Sequence, residues 1–246
     1  MNISKKINNA SLLENDSWET IQSNIRSGNT DIYNIGETKK VIVDNKEYTV
    51  RLVNKTTASW CDDTSKSQTA CGFVFEFVEM VTKLKTWEDT TSYSGGYPAS
   101  IPHGYLADTM FYQLPEDLQS VISETRVISG CGRNYSTNLV SNDKLYLLSA
   151  AEYVGTHYYD KASDATRRLD YYTEMQNMGE NSNATMTKKN LNGSIGSYWL
   201  RNQSPYNNQN FIDVGHDGMM DYIPGMISDV NGYYNALWIA PAFRIA

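Results

Sequence analysis

The chain is predicted to fold as an α+β domain, with short antiparallel sheets and with helices in the first two thirds. Three observations predict that class. Capped segments of helical period occur before Gly179 and not after it. From Tyr198 to Ala246 the apolar residues fall in short runs separated by polar turns, the pattern of strands joined by tight connections. No internal repeat is present that would make the chain a solenoid.

Taken in order, residues 1–15 read as a flexible leader, polar and without period, and residues 16–246 as one domain. Asp16 or Ser17 caps a first helix, with Glu19 in the capping-box position relative to Asp16. Trp18, Ile21 and Ile25 line one face of it, and Gly28 ends it. Residues 39–43 and 47–53 form the clearest hairpin, because Asp44 and Asn45 tolerate the left-handed conformation that a two-residue loop needs. Residues 71–78 read as a strand, with a helix from Phe75 as the alternative.

A loop at residues 92–98 is followed by a helix from Tyr105 to Tyr112. Residues 114–122 form a second helix, with Pro115 in its first turn and Glu116 and Asp117 where the helix dipole favours acids. Residues 143–148 are a short strand, Ser149 caps a helix over 150–154, and 167–175 supply a further turn or two. The Asn-, Ser-, Thr- and Gly-rich residues 179–196 read as a loop or weak hairpin. Residues 197–201, 210–214, 218–222 and 237–245 are the expected closing strands.

Composition narrows the function classes. A chain of 246 residues buries a substantial core as one domain. Its net charge of -7, with scattered basic residues, argues against a nucleic-acid footprint. No apolar stretch follows Lys5-Lys6-Ile7 as in a signal peptide, and no run is long enough to span a bilayer. The expectation is therefore a protein without membrane insertion, cytoplasmic or carried in a phage virion. Cys61, Cys71 and Cys131 form no CxxC pair. Reduced structural thiols are expected, with a Cys61–Cys71 disulfide as the alternative.

Residues 198–240 carry the strongest functional signal. Two apolar rails, Tyr198-Trp199-Leu200-Arg201 and Trp238 to Ile245, enclose a polar and aromatic run. The candidate contact residues are Asn202, Ser204, Tyr206, Asn207, Asn208, Asn210, Asp213, His216, Asp217, Asp221, Tyr222, Asp229, Asn231, Tyr233, Tyr234, Asn235 and Trp238. Tyr offers rigid contact area at low entropic cost, while Asn, Ser and Gly offer adaptable hydrogen bonds, the mixture that serves antibody loops. Tyr206, Tyr222, Tyr233 and Tyr234 are the expected anchors, with Trp199, Arg201, Phe243 and Arg244 as scaffold.

Several short motifs fall in a recognisable order. They are Ser17-Trp18, Ile35-Gly36-Glu37-Thr38-Lys39, Leu114-Pro115-Glu116-Asp117-Leu118, Leu145-Tyr146-Leu147-Leu148-Ser149, Tyr198-Trp199-Leu200-Arg201 and Pro241-Ala242-Phe243-Arg244-Ile245. In this order they resemble an uncharacterised family of bacterial and phage proteins, over nearly the whole chain from Ser17. Ala240 departs from that pattern, which has Arg there. The ending also resembles the C-type-lectin-like fold, which includes formylglycine-generating enzymes and the variable proteins of diversity-generating retroelements. The resemblance implies terminal strands lying side by side and a ligand face built of loops.

Catalytic readings find little support. Formylglycine-generating relatives bind copper through late cysteines, and none follows Cys131 here. The carboxylate-Pro-Asn tripeptide of calcium-dependent lectins is missing, and Asp229-Val230-Asn231-Gly232 lacks the distal Glu of a calcium loop. His103, His157 and His216 have no zinc spacing, His216-Asp217-Gly218 reads as a turn, and no GxSxG surrounds Ser204. No metal or cofactor is expected.

The reading is a non-enzymatic binding protein for a protein or glycan ligand, with oligomerisation open. The family comparison sharpens it to a variable protein of a diversity-generating retroelement, because adenine randomisation turns Asn codons into the residue set of the run. The alternative is a structural or receptor-binding module of a phage tail or cell-surface assembly.

Overall fold

The computed structural model describes residues 12–84, 95–130, 138–155, 166–204, 210–224 and 236–246, with residues 222–224 by backbone alone. Two helices, α1 (Leu12–Asn15) and α2 (Trp18–Arg26), come first. The Ser17 hydroxyl caps α2 by accepting from the Thr20 amide at 3.1 Å. Asp16 is not the cap; it accepts from the Tyr33 hydroxyl at 2.6 Å. Residues 12–15, read from the sequence as part of a leader, form α1, whose Leu13 is fully buried.

Strands β1 (Thr38–Val43) and β2 (Lys46–Asn54) form the predicted hairpin. Asp44 and Asn45 both take positive φ, 48° and 60°, as a two-residue turn matched to strand twist requires. Next come β3 (Phe73–Phe77), β4 (Glu79–Met80) and β5 (Thr82–Leu84), then α3 (Ile101–Tyr105). The latter runs through a π-helical segment, Leu106–Met110, into α4 (Phe111–Gln113), which α5 (Glu116–Val121) follows. Four short strands complete the middle: β6 (Ile122–Ser123), β7 (Thr125–Ser129), β8 (Leu139–Asp143) and β9 (Tyr146–Leu147).

Helix α6 (Ala150–Val154) starts at the predicted Ser149, in a full capping box closed by Glu152. After α7 (Asp170–Asn177), a helix α8 (Ser182–Met186) stands where a loop was expected. Asn181 starts it by accepting from the amides of Asn183 and Ala184. One turn is too short for periodicity to reveal. The chain ends through β10 (Lys189–Asn190), β11 (Tyr198–Gln203), β12 (Asn210–Val214), β13 (Met220–Pro224), β14 (Leu237–Ile239) and β15 (Pro241–Ile245).

The larger sheet has the order β1-β2-β3-β15-β6, with β9 also on β15, and is antiparallel throughout. The second has the order β13-β12-β11-β14-β5. Its pairs are antiparallel as expected except one: β14 runs parallel to β11, with Trp238 opposite Tyr198. The closing strand, predicted as one, is split at Ala240 so that β14 lies in one sheet and β15 in the centre of the other.

Core packing explains the all-buried pattern of β3. Alternation sends Phe73, Phe75 and Phe77 to one face, where Phe75 stacks on Phe243 at 5.3 Å and Trp18 meets both edge-on. Glu76 points to the other face, beneath Tyr172 of α7. The expectation of reduced thiols is corrected as well. Cys61 and Cys71 are disulfide-bonded, with Cα atoms 5.9 Å apart. Arg126 holds the intervening loop closed by donating to the carbonyls of Cys61, Asp63 and Lys66. Closing a loop of this length stabilises by about 3 kcal/mol. Replacing both cysteines by serine is expected to lower the denaturation free energy by that amount, read from the urea midpoint.

Candidate functional site

A buried ion pair ties the first rail to α6. Arg201 of β11 and Glu152 of α6 are both fully buried, and the two guanidinium nitrogens Nη1 and Nη2 meet the two carboxylate oxygens at 2.7 and 2.8 Å. The remaining capacity is used: Arg201 also donates to the carbonyls of Leu147 and Ile128, and Glu152 accepts from Thr69 and Thr166. The same Glu152 closes the capping box of α6. One carboxylate therefore joins the helix start at Ser149 to the first rail.

The predicted contact residues that the structure describes do not share one surface. Asn202, Ser204 and Asp213 are buried, which corrects their placement on the contact face. Strand β11 lies between β12 and β14, and the Asn202 side chain turns inward to accept from the Ala150 amide at 2.7 Å. His216, Asp217 and Asp221 are exposed, while Asn210 and Trp238 are half-buried. Tyr206, Asn207, Asn208, Asp229, Asn231, Tyr233, Tyr234 and Asn235 lie outside the described residues, as does the Tyr222 side chain.

Strand direction separates the rest. Because β12 runs against β11 and β13, Gln203, Asn210 and Pro224 lie at one end of the sheet. The turn carrying His216 and Asp217 lies at the other, the end where Trp238 pairs with Tyr198.

Around Trp238 the structure forms a groove of about 250 Å³, lined by Lys46, Tyr48, Met80, Val81, Asn190, Leu191 and Asn192. Gly196 sets the indole in place. A Cβ there would lie 3.1 Å from Trp238 Cδ1 and Nε1 and from Met80 Cε, so a larger residue would push the indole outward by a few tenths of an ångström. Asn190 Oδ1 accepts from the amides of Asn192 and Ser194, both at 3.0 Å, which fixes its amide at the rim. Tyr48 is anchored by donating to the Val81 carbonyl at 3.2 Å. Of these residues only Trp238 was expected. Lys46 and Tyr48 come from the hairpin and the asparagines from the supposed connector, and distance along the chain hides that they meet. The Asn richness of residues 179–196 was the available signal.

Asp213 has an unusual environment. It is buried, its Oδ1 has no hydrogen-bond partner, and Asp221 stands directly opposite across the β12–β13 pair. Burial first, then the nearby charges of Asp221 and Asp217, push its carboxyl up to about 7. Glu76 shows the opposite outcome. Burial would raise it, but Lys188 at 3.1 Å and Arg51 hold it well below the usual carboxylate range.

Other chemistry is sparse. His103 Nε2 lies 2.8 Å from Asp143 Oδ1, a pairing across forty residues that sequence spacing did not suggest. Ser141 donates to the other oxygen of Asp143, so the hydroxyl sits on the carboxylate and not on the imidazole, the reverse of a nucleophile arrangement. Among the described residues no group of three His, Cys, Asp or Glu side chains is placed to hold a metal ion. No described helix is long and apolar enough to cross a membrane.

A family model with the description "Domain of unknown function (DUF6273)" matches residues 73–246, from β3 to the end of the chain. No curated protein and no solved structure matches.

Proposed function

We propose, from the premise that the chain belongs to the DUF6273 domain family, that it is a non-enzymatic ligand-binding domain of C-type-lectin-like fold. The observation that carries this reading is the Trp238 groove. It sits where the two rails pair, and it joins an indole held by packing to two asparagines and a lysine. An aromatic face flanked by amide groups suits a sugar ring, whose C–H face stacks while its hydroxyls hydrogen-bond, so a glycan is the favoured ligand. The lectin-like reading is supported by the short closing strand β15 at the centre of the larger sheet.

The residue set between the rails supports the sharper reading of a variable protein of a diversity-generating retroelement, with Arg201 and Phe243 buried as constant scaffold. The neighbouring DNA tests it. A reverse-transcriptase gene and a near-identical repeat of the closing coding segment are expected, and a genome lacking both removes the retroelement while leaving the binding function standing.

Two observations favour the alternative, a structural or receptor-binding module of a phage tail or cell-surface assembly. Leu191 and Ile195, beside the groove, are 42% and 49% exposed, and the disulfide suits an oxidising exterior. A stable oligomer that covers Leu191 and Trp238 is the result that favours assembly over ligand binding.

A further inference from the structure

The Trp238 groove differs in charge from the chain as a whole. The chain carries 28 acidic against 21 basic residues, yet the groove has Lys46 in its lining and no carboxylate. Strand alternation produces this. On β2, Lys46 and Tyr48 project to the groove side, while Glu47 projects to the other, where it pairs with Lys40 at 3.2 Å. Glu79, next to the lining Met80, accepts from the Thr49 amide at 2.8 Å. Among the described residues no carboxylate forms an ion pair with Lys46.

A second lysine stands beside the indole. Lys83 of β5 lies directly opposite Trp238 of β14, and residues opposite one another in an antiparallel pair project to the same face. Both lysines are exposed. Asn190 adds a donor of fixed direction. Its Oδ1 accepts from the backbone amides of Asn192 and Ser194, so the end left for a ligand is Nδ2, with two N–H groups. A neutral sugar gains nothing from the lysine charge. An anionic substituent forms a charge-assisted hydrogen bond with it, about twice as strong as a neutral one.

We infer that the ligand of the Trp238 groove is an acidic glycan, one whose sugar carries a carboxylate or a sulfate. The anionic group accepts from Lys46 and from Asn190 Nδ2, Lys83 adds attraction from the far side of the indole, and the sugar's C–H face stacks on Trp238. This rests on the reading of the groove as a glycan site.

A glycan array of matched pairs, probed with the full chain at low salt, tests it. Uronic- and sialic-acid glycans stand beside their carboxyl-reduced forms, and sulfated glycans beside their desulfated forms. Acidic members are expected to bind at least about tenfold more tightly than their neutral partners, and the kind of pair that shows the difference identifies the group as carboxylate or sulfate. Lys46→Met is expected to abolish the preference, and Lys46→Arg, which keeps the charge, to retain it. Lys83→Met is expected to cost about threefold, as for an exposed charge. Lys40→Met removes the same charge from the opposite face of the hairpin and is expected to leave the preference unchanged. Circular dichroism superimposing on the parent establishes that each variant is folded. Equal retention of acidic and neutral members, lost in Trp238→Ala, overturns the acidic ligand and leaves the glycan site standing, whereas retention of no glycan overturns both. An acidic preference that survives in folded Lys46→Met also overturns the inference.

Discussion

Arg201→Met is expected to destabilise the protein by about 3–5 kcal/mol, the cost of stranding a buried carboxylate without its partner. The reason is the completeness of the network around Glu152. Three side chains, Arg201, Thr69 and Thr166, donate to one carboxylate, and the Ser149 backbone amide donates to it in the capping box. Removing the cation leaves the anion in a dry interior and loosens the start of α6 together with β11. Adding Glu152→Gln is expected to recover part of the loss, since a neutral amide keeps the cap without the stranded charge. Urea denaturation of the two variants and the parent measures both effects. A single variant within about 1 kcal/mol of the parent shows that the pair is dispensable.

The second large effect depends on pH. The Asp213 carboxyl titrates at about 7 when folded and near 4 when unfolded. The folded state therefore holds its proton more tightly, and Asp213 favours folding only while protonated. Its penalty is absent below about 4, grows as pH rises, and is complete above about 7, where it reaches at most about 4 kcal/mol. Asp213→Asn is expected to leave stability unchanged at low pH and to raise it at pH 8 by up to that amount. Glu76 contributes the opposite slope. Its depressed carboxyl stabilises the fold at neutral pH, and that contribution is lost as pH falls below the ordinary carboxylate range. Stability measured against pH in the parent and in Asp213→Asn separates the two: the alkaline decline flattens in the variant, and the acid limb remains.

Local chemistry made much of the fold legible. Asp44-Asn45, Ser17 and Ser149 each act through their own backbone conformation or a neighbour three residues away, so their turn and caps follow from the chain alone. Strands β3 and β12 follow from runs of apolar side chains. What required the structure was long-range. The break at Ala240 is marked locally by Pro241, which has no amide for a ladder and so suits the first residue of a strand, but which sheet each half joins is decided by long-range pairing. The Cys61–Cys71 bond depends on Arg126, sixty-odd residues away, drawing the loop together.

The candidate site was legible as a region and not as a surface. Residue type marked Asn202, Ser204 and Asp213 as polar and hence as contact residues, yet the position of β11 and β12 inside a five-stranded sheet buries all three. Trp238 was found because a tryptophan at the start of an apolar rail is conspicuous. Its companions Tyr48, Asn190 and Asn192 arrive from two distant segments, and only the pairing of β4 with β10 and of β5 with β14 brings them to it.

The measurement that bears most directly on ligand recognition is a glycan array probed with the full chain and with Trp238→Ala. The parent is expected to retain a defined subset of glycans. Removing the indole is expected to cost at least about 2 kcal/mol of binding, some thirtyfold in affinity, as for a tryptophan at the centre of a contact site. Retention of no glycan by the parent, or equal retention by a folded Trp238→Ala, contradicts the assignment of the groove as the recognition site.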